Sequence, residues 1–233
     1  SIALAALGLA ALLVASALAL PERGPGLAEP ALQQLRASGV SNPVTATLLN
    51  YRAWDTLLEV GVLMLAVLGV WILEAEPALP RPAPDPMLGL LLRVLLPLTV
   101  IVAGYLLWVG AHAPGGAFQG AALLAAGGVL WHLARPLSLG PSPVVRAVVV
   151  LGFAVFLAVG VATAVLGGGL LTFPPEHAGA IILVIEAAAM LSIALIMVAL
   201  FVGRERALHD ANAPHTAADP SAAPGAPNPG AAP

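Results

Sequence analysis

The sequence predicts an all-α, polytopic membrane protein of about six transmembrane helices with a disordered C-terminal tail. Three observations carry that expectation. Charged side chains make up 9% of the 233 residues and hydrophobic ones 60%, whereas a water-facing domain keeps its surface solvated with about 25% charged residues. Mean hydropathy is +0.97. The apolar residues also fall into runs, and a helix needs roughly 20 of them to cross a ~30 Å hydrocarbon core.

Composition sets further bounds. The chain has no cysteine, which excludes disulfides, thiolate metal sites and iron–sulfur clusters; no cofactor or metal is expected. All nine basic residues are Arg and the formal net charge is −3. No polybasic run points to nucleic acid or to anionic lipid.

Six spans are expected, at about 2–20, 44–73, 88–110, 117–136, 144–166 and 178–203. The first reads as a retained helix. A signal peptide is the alternative, since Ala17-Leu18-Ala19 resembles a small-residue cleavage site, but no basic region precedes the apolar run. Residues 21–43 form a polar loop, in which Glu29 to Ser38 can make a short interfacial helix ended by Gly39. Asn42-Pro43 reads as a helix start, with Pro in the first turn. Five prolines between Pro77 and Pro86 make 76–87 a stiff linker. It divides a two-helix unit, 1–75, from a four-helix unit, 88–203. The tail 204–233, rich in Ala and Pro, has no hydrophobic period and is expected to be disordered.

Arg81, Arg93, Arg135, Arg146, Arg204 and Arg206 lie at one set of loop ends, and Arg23 and Arg36 at the other. The positive-inside rule then places both termini in the cytoplasm, which suits a multi-pass protein of a bacterial inner membrane.

Polar residues inside apolar runs carry the functional expectation. Arg52, Asp55 and Glu59 are spaced i, i+3, i+7 and would share a stripe of the second helix. At 1.5 Å per residue Glu59 lies ~24 Å along that helix from Pro43, near mid-bilayer. A charge there costs about 2.5–3.5 kcal/mol on insertion scales, so the stripe should face protein or water. Two readings follow, a proton or cation relay and a structural ion pair that fixes a neighbouring subunit. Glu186, inside the apolar run Ile181 to Leu200, is the second intramembrane carboxylate. The competing reading is a neutral Glu186 bonded to a backbone carbonyl, with Thr163 and Ser192 as conceivable hydroxyl partners.

His112-Ala-Pro114-Gly115-Gly116-Ala-Phe118-Gln119-Gly120 separates the third and fourth spans. Pro114-Gly115-Gly116 implies a tight reversal or a re-entrant break. Gly116/Gly120 and Ala117/Ala121/Ala125 form a small-residue face suited to close helix packing. His112 is either a titrating group at a water-filled opening or an interfacial His at a helix end, the plainer reading. His132, beside Trp131 and Arg135, is expected at headgroup level.

Two of these segments resemble known families. Asn42-Pro43-Val-Thr45-Ala-Thr-Leu-Leu-Asn50-Tyr-Arg52-Ala-Trp-Asp55-Thr-Leu-Leu-Glu59 resembles the MbhE-type domain, found at the C-terminus of the large Mrp antiporter subunit and as a separate subunit in membrane-bound hydrogenases. The segment from His112 to Gly120 resembles the MnhB domain and its pattern His-x-x-Pro-Gly-Gly-Gly-Phe-Gln-Gly. The resemblance implies a non-enzymatic subunit of an Mrp-type Na⁺/H⁺ antiporter, or of a related redox-driven ion-pumping complex. Its implied partners are the large antiporter-like and small membrane subunits, Na⁺, H⁺ and the lipid bilayer. By match to the motifs, Arg52, Asp55 and Glu59 carry over from the first domain, and Pro114, Gly115, Gly116, Phe118 and Gln119 from the second. Asn50 stands where relatives often have Asp, and Ala117 replaces a Gly. Glu186 falls where relatives tend to place an acidic residue.

Overall fold

A computed structural model describes residues 2–19, 26–73, 86–135, 137, 139–166 and 169–212, with side chains described between Leu4 and Gly203. Most of the expected 76–87 linker, Arg23, Arg81, Gly167, Gly168 and the tail beyond residue 212 lie outside the described residues. Every regular element among the described residues is helical.

Among the described residues, five helices are long and apolar enough to cross a membrane. They are α4 (Ala53–Leu73), α5 (Pro86–Val109), α6 (Ala117–Ala134), α7 (Pro143–Val165) and the apolar part, Ala178–Gly203, of α8 (Ala178–Asn212). The first helix, α1 (Ile2–Leu18), has 17 residues. At about 26 Å it falls a little short of the hydrocarbon core, and its described side chains are all exposed. The expected six spans are therefore five plus a shorter apolar helix.

Helix α8 is the axis of the bundle. Of its apolar window, 61% is buried, against 11% for α5, and it packs on α4, α5, α6 and α7. Large branched side chains such as Ile182, Ile185, Ile193 and Ile196 are almost wholly enclosed. Small residues bring the neighbours close: a Cβ on Gly120 would sit 2.6 Å from the Met190 Sδ, and one on Gly152 would sit 2.9 Å from the Ala189 Cα. Ala117, Ala121 and Ala125 are buried on the same face of α6, so the small-residue stripe is a packing surface, as its spacing predicts. Intramembrane hydroxyls are satisfied within the bundle. Ser192 donates to the Val149 carbonyl at 2.6 Å, and Thr163 donates to Gly160 and accepts from the Leu171 amide. Neither reaches Glu186, contrary to expectation.

The segment before α4 departs most from the prediction of one continuous helix over 44–73. After α2 (Ala28–Gln33) and a 3-10 turn at Leu35–Ser38, Gly39 turns in the left-handed region at φ +76°. Asn42 then caps α3 (Pro43–Ala46) by accepting from the Val44 amide, with Pro43 in the first turn. Next comes a π-helical turn, Thr47–Tyr51, and the helical path breaks at Arg52, whose φ of −126° and ψ of 35° are not helical. Only then does α4 begin. Glu59 thus lies about 9 Å into its span, about 6 Å short of the middle of this 21-residue helix.

One further expectation is corrected. Helix α8 continues through Arg204 to Asn212 instead of giving way to a disordered tail at 204. The sequence there contains good helix formers and meets no proline until Pro214. His132, two residues from the end of α6, is covered by protein at 5% exposure. Its Nδ1 accepts from the Leu137 amide, tying down the chain where it leaves α6.

Candidate functional site

The turn between α5 and α6 is a compact reversal, not a re-entrant loop. Its exposed carbonyls are met by the start of α3. Asn42 Nδ2 donates to the carbonyls of Gly110 at 3.1 Å and Ala113 at 2.7 Å, and Thr45 Oγ1 donates to Gly110 at 2.5 Å. The amides of Ser41 and Asn42 both donate to the Ala111 carbonyl. Backbone groups at membrane depth need such partners, because lipid supplies none. Asn42, Pro43 and Thr45 on one side therefore form one structural unit with the turn that carries Pro114, Gly115 and Gly116. Pro114 itself is exposed.

Below this clasp lies a cavity of about 300 Å³, room for several waters. Its polar lining is Thr45, Thr56, Glu59, Gln119 and Glu186; Phe118, Phe156 and Ile185 contribute apolar wall. The two intramembrane carboxylates singled out in the sequence, far apart along the chain, thus face one space. Glu186 is buried at 4% exposure. Its Oε1 accepts from the Ala117 amide at 3.3 Å. Ala117 opens α6, where unpaired amides and the helix dipole favour a negative group.

Gly116 makes that approach possible. Its φ of +109° is a conformation that side-chain-bearing residues avoid, and a Cβ there would lie 2.6 Å from Glu186 Oε1. Gly115 borders the cavity, whereas Gly120 packs against Met190 one turn deeper.

The predicted stripe of three charges separates in space. Arg52 and Asp55 form a salt bridge, with side chains 69% and 45% exposed, and neither lines the cavity. Glu59, one turn beyond Asp55, does. His112 also stays outside: its Nδ1 lies 3.3 Å from Ser41 Oγ and its ring meets Trp108 edge-on. That is a helix-end role.

Thr56 is a cavity residue that the sequence did not reveal. Its Oγ1 donates to the Leu48 carbonyl at 2.6 Å, a group left without its usual helical partner by the π-turn and the break at Arg52. In sequence, Thr56 looks like any helical threonine bonded within its own turn. Asn50 and Tyr51, in the π-turn, anchor outward instead, to the carbonyls of Ser38 and Ala31.

No curated protein matches the chain. Two solved membrane assemblies contain chains of similar fold. A chain of the Mrp complex from Dietzia sp. DQ12-45-1b aligns with a TM-score of 0.63 and 25% identity over 84% of this chain. This chain spans only 24% of that one. A chain of the membrane-bound sulfane sulfur reductase, an archaeal respiratory membrane complex, aligns with a TM-score of 0.68 and 23% identity, covering 87% of this chain and 96% of that one. Residues 87–205, just over half of the sequence, match the family model described as a domain related to the MnhB subunit of Na⁺/H⁺ antiporter, and the chain belongs to that family.

Proposed function

We propose that this chain is a non-catalytic membrane subunit of an Mrp-type monovalent-cation/proton antiporter, and that the Glu59–Glu186 cavity belongs to its ion path. The observation that carries the proposal is the convergence of those two carboxylates on one water-sized space. Intramembrane ionisable groups are costly and by default functional. Here neither has a basic side chain paired with it among the described residues, so a proton or monovalent cation is the natural counter-charge. Thr45, Thr56 and Gln119 add neutral oxygen ligands. Arg52 and Asp55 neutralise each other outside the cavity and serve to position α4.

The multisubunit reading has two supports. Glu59 is exposed on the surface of the chain although it lies within a span, which calls for cover by another membrane subunit. The Mrp-complex likeness extends over 84% of the chain, more than residues 87–205 alone, in keeping with an MbhE-type unit fused ahead of the family domain. The Arg-rich end, with Arg93, Arg135 and Arg146, faces the cytoplasm in this proposal, and the cavity lies toward the opposite face.

The test is cation-dependent proton exchange in vesicles carrying the assembled complex, with Glu59→Gln and Glu186→Gln compared at equal assembly on native gels. Lost exchange with intact assembly supports the ion path. Lost assembly would make the carboxylates structural glue. A second host, a redox-driven ion-pumping complex, is favoured by the 96% coverage of the sulfane sulfur reductase chain. Identification of co-purifying subunits separates the two, because redox cofactors would reside in the partners.

A further inference from the structure

At the opposite end of the bundle from the cavity, α5 and α6 enclose a smaller groove of about 190 Å³, lined by Gly89, Leu92, Arg93, Leu96, Trp131 and Arg135. We infer that this groove is a binding site for the phosphate headgroup of an anionic phospholipid.

The groove follows from how the two helices pack. They pack closely at Gly127, where a Cβ would lie 2.9 Å from Thr99 Oγ1 and 3.4 Å from Leu96 Cδ2. At the groove itself there is space: a Cβ on Gly89 would meet nothing within 4 Å. Arg135 is the residue at which the chain leaves α6, with an extended φ of −146°. Arg93 sits about 10 Å along α5 from Pro86, where a long basic side chain reaches toward the interface with its stem against apolar surface. Two guanidinium groups from antiparallel helices therefore border one opening. Both side chains are exposed, and among the described residues no carboxylate lines the groove or pairs with either.

Each other component suits a lipid. A guanidinium presents planar, forked donors that match phosphate oxygens. Trp131, 39% exposed, belongs to the residue type that settles at headgroup level. Leu92 and Leu96 continue the groove inward as apolar wall for an acyl chain. Basic pockets between transmembrane helices take anionic headgroups in this manner. The two arginines are 42 positions apart in the sequence, so no local basic run advertises the site.

The test uses the full chain in mild detergent, offered equimolar phosphatidylglycerol and phosphatidylcholine with identical acyl chains, with bound lipid read by native mass spectrometry. Phosphatidylglycerol should be retained roughly thirtyfold over phosphatidylcholine, from about a fivefold gain per interfacial arginine. Arg93→Gln or Arg135→Gln should each lower that ratio about fivefold, and the double variant should bring it near parity. Because both side chains are exposed, the variants should keep the parent's elution profile and helical circular dichroism. Equal retention of the two lipids by the parent would overturn the inference, as would a preference that survives the double variant. Displacement by inorganic phosphate at the same concentration would mean that the groove takes free anions and not lipid.

Discussion

Two pairs of charged residues at the same end of the bundle have opposite fates. Asp55 is matched within one turn by Arg52, and both are substantially open to the surroundings of the chain. Glu59 and Glu186 come from different units of the sequence, lack a basic partner among the described residues and share a cavity. An exposed ion pair contributes little, about 0–1 kcal/mol, because it is largely solvated in either state. Of the second pair Glu186 is enclosed, and a buried carboxylate without a counter-charge is costly enough that the surrounding architecture must be organised around it. In this chain the organisation is visible in the α6 amide that meets Glu186, in Gly116 and in the Asn42–Thr45 clasp. Proximity in sequence therefore misleads: Asp55 is Glu59's neighbour along α4, but Glu186 is its functional neighbour.

Breaking the second pair should have the largest effect. Glu186→Gln, measured as cation-driven proton exchange by the assembled complex, should lower the rate by at least about tenfold, in line with the roughly 1.4 kcal/mol per decade of a rate-limiting step. Near-normal exchange would remove the carboxylate from the path. Gly116→Ala attacks the same group from the backbone. It combines a strained positive φ, which costs about 1–2 kcal/mol, with a Cβ in the space of Glu186 Oε1. Both thermal stability and exchange should fall; a variant as stable and active as the parent would show that the turn relaxes freely.

Thr56→Val sharpens the comparison at smaller scale. It keeps the shape, removes the donor to the Leu48 carbonyl and should cost about 1–3 kcal/mol of stability for an unsatisfied acceptor in a dry setting. Denaturation in detergent with the parent as reference would measure it, and no change would mean that water takes over the bond. Asp55→Asn should be mildest, at about 1 kcal/mol or less, with exchange within about twofold of the parent. A loss as large as that of Glu186→Gln would erase the distinction between the two pairs.

Much of the architecture was legible in the sequence because lipid is a strict solvent. Long apolar runs between Pro- and Gly-rich breaks located α5, α6, α7 and the apolar part of α8 to within two residues at most ends. Gly39 as a helix stop and Asn42-Pro43 as a start also read correctly, since both act locally. The path through Thr47–Arg52 did not. A π-turn and a break depend on what the freed carbonyl finds, here the Thr56 hydroxyl, and on where the turn's side chains anchor, here Asn50 and Tyr51 donating to the carbonyls of Ser38 and Ala31. The partners of His132 were equally hidden: the Leu137 amide and the Phe201 ring reach it from outside its own helical turn. Glu59 and Glu186 were each conspicuous as charges in apolar runs, but their meeting is a tertiary fact that neither run contains.

The π-turn at Thr47–Tyr51 has a consequence for the spacing of this segment. It holds one residue more than an α-helical turn would, so tightening it to ordinary pitch with every residue kept would do more than remove a bulge. The retained residue would swing everything upstream by about 100° relative to α4. Thr45 would then point away from the cavity, and Asn42 would lose the carbonyls of Gly110 and Ala113. The surplus residue acts as an indexing step, setting which face the first unit presents to the second.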